Sequence, residues 1–218
     1  MPSSFLPTDI FSTAILGVLL LCSVIIWTII LNRFVFLRNT QKSCLTFIQF
    51  FWKSNNISEI YEKRKSLPNS PASRMFHASY DEILKILGAV EKDKNLQKLP
   101  IGNIERILAQ SLEQETFNLS DNLGTLATLA TLTPFIGLLG TIIGIMKAFQ
   151  SLGDGNILVL APHISEALVA TALGILTALP ASFFYNFFIQ RIEKNVLVLQ
   201  DFSSQLLNLL ERHFNISS

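Results

Sequence analysis

Three uncharged stretches constrain this chain more than any other feature. They run from Ile10 to Asn32 (23 residues), Asn122 to Met146 (25) and Ala167 to Gln190 (24). A helix needs roughly 20 apolar residues to cross about 30 Å of hydrocarbon, and each stretch exceeds that. One such stretch could be a buried core helix, but three in 218 residues read as membrane spans. The composition agrees, since half of the chain is hydrophobic and only 15% is charged, which is too apolar for an ordinary soluble domain.

The rest of the composition excludes more than it suggests. A net charge of +1 points to no nucleic-acid partner. His77, His163 and His213 are too scattered for a metal site, and no cofactor motif is present. Cys22 lies inside an apolar run and Cys44 among basic residues, so no disulfide is expected. The first stretch differs from a secretory leader. Residues 1–9 contain no Lys or Arg, and the basic residues Arg33, Arg38 and Lys42 follow the apolar run. It reads as an uncleaved anchor.

Thirteen Lys and Arg lie between Arg33 and Arg106, one (Lys147) follows the second span, and three (Arg191, Lys194, Arg212) follow the third. The positive-inside bias then sets the topology. Residues 1–9 and the connection 147–166 face the outside, spans occupy 10–32, 122–146 and 167–190, and residues 33–121 and 191–218 are cytoplasmic. Trp27 and Tyr185 fall near the inner ends of their spans, as an aromatic belt would place them.

The cytoplasmic parts carry helical periodicity. Phe34, Leu37, Leu45, Ile48, Phe51 and Trp52 extend the first span inward as an amphipathic helix. Asn56 to Glu59 has the spacing of a helix start, with a short helix through Lys65. Ser70 and Pro71 are placed as N-cap and first residue of the next helix, with Met75, Ile83, Ile86, Leu87 and Val90 as buried positions. From Ile101 the period runs through Ile104, Ile107, Leu108, Leu112 and Phe117 into the second span. A single helix to Phe149 would have 49 residues and measure about 73 Å. The third span continues through Ile192, Val196, Leu199, Phe202, Leu206, Leu209 and Leu210 to about His213. The fold class expected is an all-α membrane protein: three transmembrane helices, two extended far into a cytoplasmic helical bundle, N-out and C-in.

The two inner spans differ from the first. The second begins with threonines at 125, 128, 131 and 133, is interrupted by Pro134, and gathers Gly137, Gly140 and Gly144 on one face with Thr141 beside it. Pro134 removes a backbone donor, so a bend is expected there. The third is lined by Ala167, Ala170, Thr171, Gly174, Thr177, Ala178 and Ala181. Pro180 should open it at Leu176, where Thr177 and neighbouring helices could satisfy what is left unpaired. Thr171, Gly174 and Ala178 share one stripe, and Glu166, Ala170, Leu173 and Thr177 another, about 140° around the helix from Thr171. Small-residue stripes serve close helix packing, and a lone membrane threonine usually bonds its own backbone. Glu166, at the edge of its span, suits either headgroup wetting or an ion path. Taken together, two proline-bent, small-sided, hydroxyl-bearing helices favour a close-packed assembly around a polar lumen. The Leu, Ile and Val-rich first span faces lipid. No Asp, Lys, Arg or His falls within any span, so a proton relay would need its central carboxylate from another subunit.

At these residues the sequence resembles the TolQ/ExbB/MotA family of proton-channel motor subunits. TPFIGLLGTIIGIMKAFQSLG (133–153) and APHISEALVATALGILTALPASFFYN (161–186) match the family signature over roughly 60 residues. Three spans rather than four disfavour the MotA branch. The short start and FIQFFWKSNNISEIYEK look more like the TolQ branch than the ExbB branch. The resemblance implies a subunit of the Gram-negative inner membrane that forms homopentamers, with the second and third spans around a pore. A TolR- or ExbD-like single-span dimer would insert there, each copy bringing one aspartate, with Thr141 and Thr171 facing that acid and Glu166 in the same lumen. Proton flow would drive motion relayed to a TolA- or TonB-like protein, with about 2.3 kcal/mol per charge available per 100 mV. The expected output is envelope integrity and constriction at division. The alternatives are an ExbB-type subunit energising outer-membrane import and a passive membrane scaffold. No paired Asp, Ser-His or His-Glu-x-x-His arrangement in the spans suggests an enzyme.

Overall fold

The computed structural model describes residues 10–54, 57–62, 69–92, 101–153 and 160–213. Among these residues all regular structure is helical. Six helices follow in order: α1 (Ile10–Lys53), α2 (Ile57–Glu62), α3 (Pro71–Lys92), α4 (Ile101–Ser120), α5 (Leu123–Gly153) and α6 (Leu160–His213). Three helical stretches are long and apolar enough to cross a membrane; they include α1, α5 and α6.

The chain divides into two compact units, Met1–Phe34 with Asn122–Phe188 and Val35–Asp121 with Ile189–Ser218. In the first, α1 buries Leu19, Ile26 and Ile30 and leaves most of its other apolar side chains exposed. Its lower end meets the phenylalanines of α6: Trp27 lies edge-on to Phe184 at 6.5 Å, and Phe34 stacks on Phe187 at 6.4 Å. Pro134 and Pro180 sit inside α5 and α6, and both helices run through them. Thr177 does not take the role expected beside Pro180. Its hydroxyl donates to the Leu173 carbonyl at 2.8 Å, one turn from Leu176, because a threonine reaches back to its own i−4 carbonyl most easily.

The second unit is built around aromatic rings. Phe47 and Phe51 of α1, Phe76 of α3 and Phe202 of α6 meet at centroid distances of 5.3–6.1 Å, and all four are buried. Edge-to-face contacts of this kind add stability beyond the area they bury. Helix α2 is tied to α3 by Tyr61, whose hydroxyl donates to Asp81 Oδ1 at 2.6 Å. The cap expected before α3 is present: the Ser73 N–H donates to Ser70 Oγ at 3.2 Å. The start assigned to Asn56, and the chain after Glu62 as far as Pro68, lie outside the described residues, as do the side chains of Leu87 and Val90.

Three expectations are corrected. The buried stripe of α1 here is Leu37, Cys44, Phe47 and Phe51; Phe34, Leu45 and Trp52 are exposed. The periodic residues were equally apolar on two adjacent faces, and the packing of Phe76 and Phe202 selects one of them. On α4 the stripe is Ile104, Leu108, Glu115 and Leu119, while Phe117 is 72% exposed. A buried glutamate replaces the expected apolar residue because Arg74 of α3 meets it. The Nε atom donates to Glu115 Oε1 at 2.7 Å, a second guanidinium nitrogen donates to Oε2, and Nη1 reaches Asn69 Oδ1 at 3.0 Å. Finally, the single helix over 101–149 is interrupted at Asp121–Asn122. Asn122 has φ 60°, a left-handed conformation that asparagine tolerates better than most residues, and its carbonyl accepts the first bond of α5 from the Leu126 N–H at 3.2 Å.

Burial pushes the Cys44 thiol above its ordinary range, and this outweighs the bonds from Ala72 and Ser70 and the field of Arg74 that act in the other direction. The nucleophile is the thiolate, so a raised thiol is less reactive at neutral pH and becomes more reactive only as pH rises. Cys44 should therefore resist iodoacetamide at pH 7 in detergent-solubilised folded protein and become labelled on denaturation. Peptide mass spectrometry reads the difference, and fast labelling of the folded chain would contradict the burial.

Candidate functional site

The site is the seam between α5 and α6, made possible by the absence of side chains at facing positions. A Cβ built on Gly174 would lie 2.7 Å from the Thr133 carbonyl oxygen and 3.0 Å from the Gly137 Cα. One on Gly137 would lie 2.9 Å from the Ala170 carbonyl oxygen and 3.0 Å from the Thr171 Cα. The two backbones are therefore in contact, and only glycine fits on either side. The seam continues through Gly140, where an added Cβ would lie 2.8 Å from the Ala170 Cβ, and Gly144, where one would lie 2.6 Å from the Ala167 Cβ. Ile15 of α1 closes over Gly140, its Cγ2 3.5 Å from where a Cβ on that glycine would lie.

This approach brings two hydroxyls together. Thr171 Oγ1 donates to the Gly137 carbonyl across the seam at 3.0 Å and stands 3.4 Å from Thr141 Oγ1. Thr141 Oγ1 donates to the Leu138 carbonyl of its own helix at 2.6 Å. Thr141 is 9% exposed and Thr171 half-buried. A bond from one helix to a backbone carbonyl of another, 34 residues away, is not the usual behaviour of a membrane threonine, which bonds its own turn. Thr128, Thr131, Thr133 and Thr177 all do the usual thing.

Of the residues singled out in the sequence, the structure joins Thr141, Thr171, Gly137 and Gly174 in one contact. Gly140 and Gly144 lie farther along the same seam. Glu166 is half-buried on α6, five residues or about 7.5 Å along the axis from Thr171. Pro134 directly follows Thr133, whose carbonyl rests on Gly174. Sequence reasoning placed Ala170 on the stripe of Glu166, Leu173 and Thr177, yet it packs into the glycine seam. It named Thr133 only as one of four threonines opening the second span, and it did not name Ile15. No periodic signal marks Thr133, because its contribution is a backbone carbonyl. Among the described residues no cluster of His, Cys, Asp and Glu could hold a metal.

The chain matches the profile of the MotA/TolQ/ExbB proton channel family over residues 68–201. It is 31% identical to the Tol-Pal system protein TolQ of Haemophilus influenzae, over 84% of this chain and 81% of that protein. It is 30% identical to the Tol-Pal system protein TolQ of Pseudomonas aeruginosa, over 91% of this chain and 87% of that one. The biopolymer transport protein ExbB of Pseudomonas putida is 32% identical over 94% of this chain but only 61% of its own length.

Proposed function

Because the chain belongs to the MotA/TolQ/ExbB proton channel family, we propose that it is the inner-membrane channel subunit of a Tol-Pal type system. It couples proton flow to movement of a TolR-like single-span partner and so maintains the outer membrane and its constriction at division. The observation that carries this reading is the Thr141–Thr171 hydroxyl pair held at a glycine-tight seam between two spans. A pair of this kind offers polar groups to an acid entering from a partner while no acid of this chain lies within the spans. Glu166, nearer the outer end, belongs to the same path. Residues 33–121 and 191–218 lie in the cytoplasm on the distribution of Lys and Arg.

The reading requires several copies around a common axis, with five as the family number. Helix α5 presents a suitable surface: Leu132, Phe135, Leu139, Ile142 and Met146 recur at alternating spacings of four and three and are all exposed. Identity alone does not separate the Tol and ExbB branches. Coverage favours the first, since the chain spans most of the TolQ relatives and 61% of the Pseudomonas putida ExbB protein. Expression in Gram-negative hosts deleted for tol or for exb tests the assignment. Restored detergent resistance in the tol host supports it, and restored TonB-dependent import alone assigns the ExbB role instead.

Thr171→Ala and Glu166→Ala are each expected to abolish complementation while native gel electrophoresis still shows the assembled complex. Full activity in both variants would remove these residues from the path. It would leave the scaffold reading, in which the small faces serve only packing.

A further inference from the structure

A charged patch of the second unit takes no part in the seam. It forms where α1 and α6 meet: Arg191 Nη1 donates to Gln41 Oε1 at 3.3 Å, across 150 positions of sequence. Arg38 lies three residues before Gln41 and Lys42 directly after it, and Lys194 lies one turn beyond Arg191. All four cations are exposed. Among the described residues the side chains of Arg38, Lys42 and Lys194 make no hydrogen bond or ion pair. Acids are scarce around them. Helix α1 holds no Asp or Glu along its 44 residues. On α6 the one acid within a turn of Arg191 or Lys194 is Glu193, about 160° around the helix from Arg191. Four cations against one carboxylate make a local field that draws anions.

The place of the patch on α1 narrows the kind of anion. Leu31, Val35, Arg38 and Lys42 recur at spacings of four, three and four, so they share one face of the helix. Leu31 is 62% and Val35 57% exposed. An exposed apolar face therefore turns cationic within one helical turn. A soluble anion would use the cations alone, whereas a molecule with an apolar chain and an anionic head uses both parts.

We propose that Arg38 and Arg191, with Lys42 and Lys194, bind the phosphodiester headgroup of an anionic glycerophospholipid, with an acyl chain on the apolar face of α1 that precedes them. The planar guanidinium groups suit the paired phosphate oxygens, and the two lysines add point charge. The bond from Arg191 to Gln41 ties the helices together at the patch, so that cations of both serve one headgroup. On the orientation read from the Lys and Arg distribution, the lipid comes from the cytoplasmic leaflet.

The test titrates the delipidated full-length protein, kept assembled in detergent, with dioleoyl-phosphatidylglycerol or dioleoyl-phosphatidylcholine, and native mass spectrometry counts the bound lipid. Phosphatidylglycerol should bind about tenfold more tightly than phosphatidylcholine, whose headgroup has no net charge. Arg38→Gln with Arg191→Gln should abolish that preference. Lys53→Gln with Arg212→Gln removes the same charge from exposed positions elsewhere on α1 and α6 and should leave it intact. If the arginine variant does not accumulate, Lys42→Gln with Lys194→Gln should narrow the preference about threefold, since neither lysine side chain holds the fold together. A preference that survives the patch replacements, or that falls equally in the control, overturns the proposal. Equal binding of the two lipids overturns it too, as apolar contact alone would give that result. Millimolar inorganic phosphate should leave the lipid bound; its displacement would mean a site for a free anion and overturn the assignment to a lipid.

Discussion

Gly174→Ala should disable the protein, although it adds a single methyl group. Its Cβ would meet the Thr133 carbonyl oxygen at 2.7 Å, the Gly137 Cα at 3.0 Å and the Gly137 nitrogen at 3.2 Å, all backbone atoms that no rotamer change can move. The helices must then separate by a few tenths of an ångström or more. Overpacking of this kind costs about 1–3 kcal/mol. The separation also lengthens the Thr171–Gly137 bond, already 3.0 Å, and parts the hydroxyl pair, already at 3.4 Å. Complementation should be lost even where protein accumulates. Gly17→Ala is the control, since nothing lies within 4 Å of its Cβ, and it should be silent.

Gly140 gives a sharper version of the same experiment. A Cβ added there would meet the Ala170 Cβ at 2.8 Å, with Ile15 next at an ordinary 3.5 Å. Gly140→Ala should therefore impair the protein, and Gly140→Ala combined with Ala170→Gly should recover most of the loss, because the methyl group merely changes helix. Thermal unfolding in detergent and growth on detergent plates measure the cycle. A double variant no better than the single one would mean that the seam is not packed as described.

What could be read from the sequence follows the range of the forces involved. The apolar stretches, the Ser70–Pro71 start and the continuation of α6 to His213 are local matters of length, capping and period, and were legible. The choice between adjacent apolar faces was not. On α4, Phe117 and Leu119 are both good core residues by type, and which one turns inward depends on Arg74 arriving from a helix 41 positions earlier to neutralise Glu115. The left-handed Asn122 was hidden because the apolar period runs through it without a gap. At the site, Thr141 and Thr171 could be named one at a time as hydroxyls beside small residues. That they meet depends on two glycines facing each other across a crossing, which periodicity along one helix does not encode.

The second large effect lies far from the seam. Glu115 is 5% exposed, and both of its oxygens are held by the Arg74 guanidinium. The carboxylate also keeps Arg74 protonated, since the bonds that Arg74 donates to Glu115 raise the guanidinium further above its already high range and burial only partly opposes this. Arg74→Met removes the donors and leaves a buried carboxylate. Breaking a fully buried pair in this way costs about 3–5 kcal/mol. The Arg74 side chain is 44% exposed, so solvent already screens part of the interaction and about 2 kcal/mol is the expected loss. Arg74→Lys should recover little of it, because an ammonium cannot reproduce the two-pronged contact and still reach Asn69. Replacing both partners, Arg74→Met with Glu115→Leu, should come close to the wild-type stability, as buried pairs exchanged for well-packed apolar groups commonly do. Denaturant unfolding of the four proteins in one detergent decides the matter. A double variant as unstable as Arg74→Met would show that Glu115 contributes through something other than its charge.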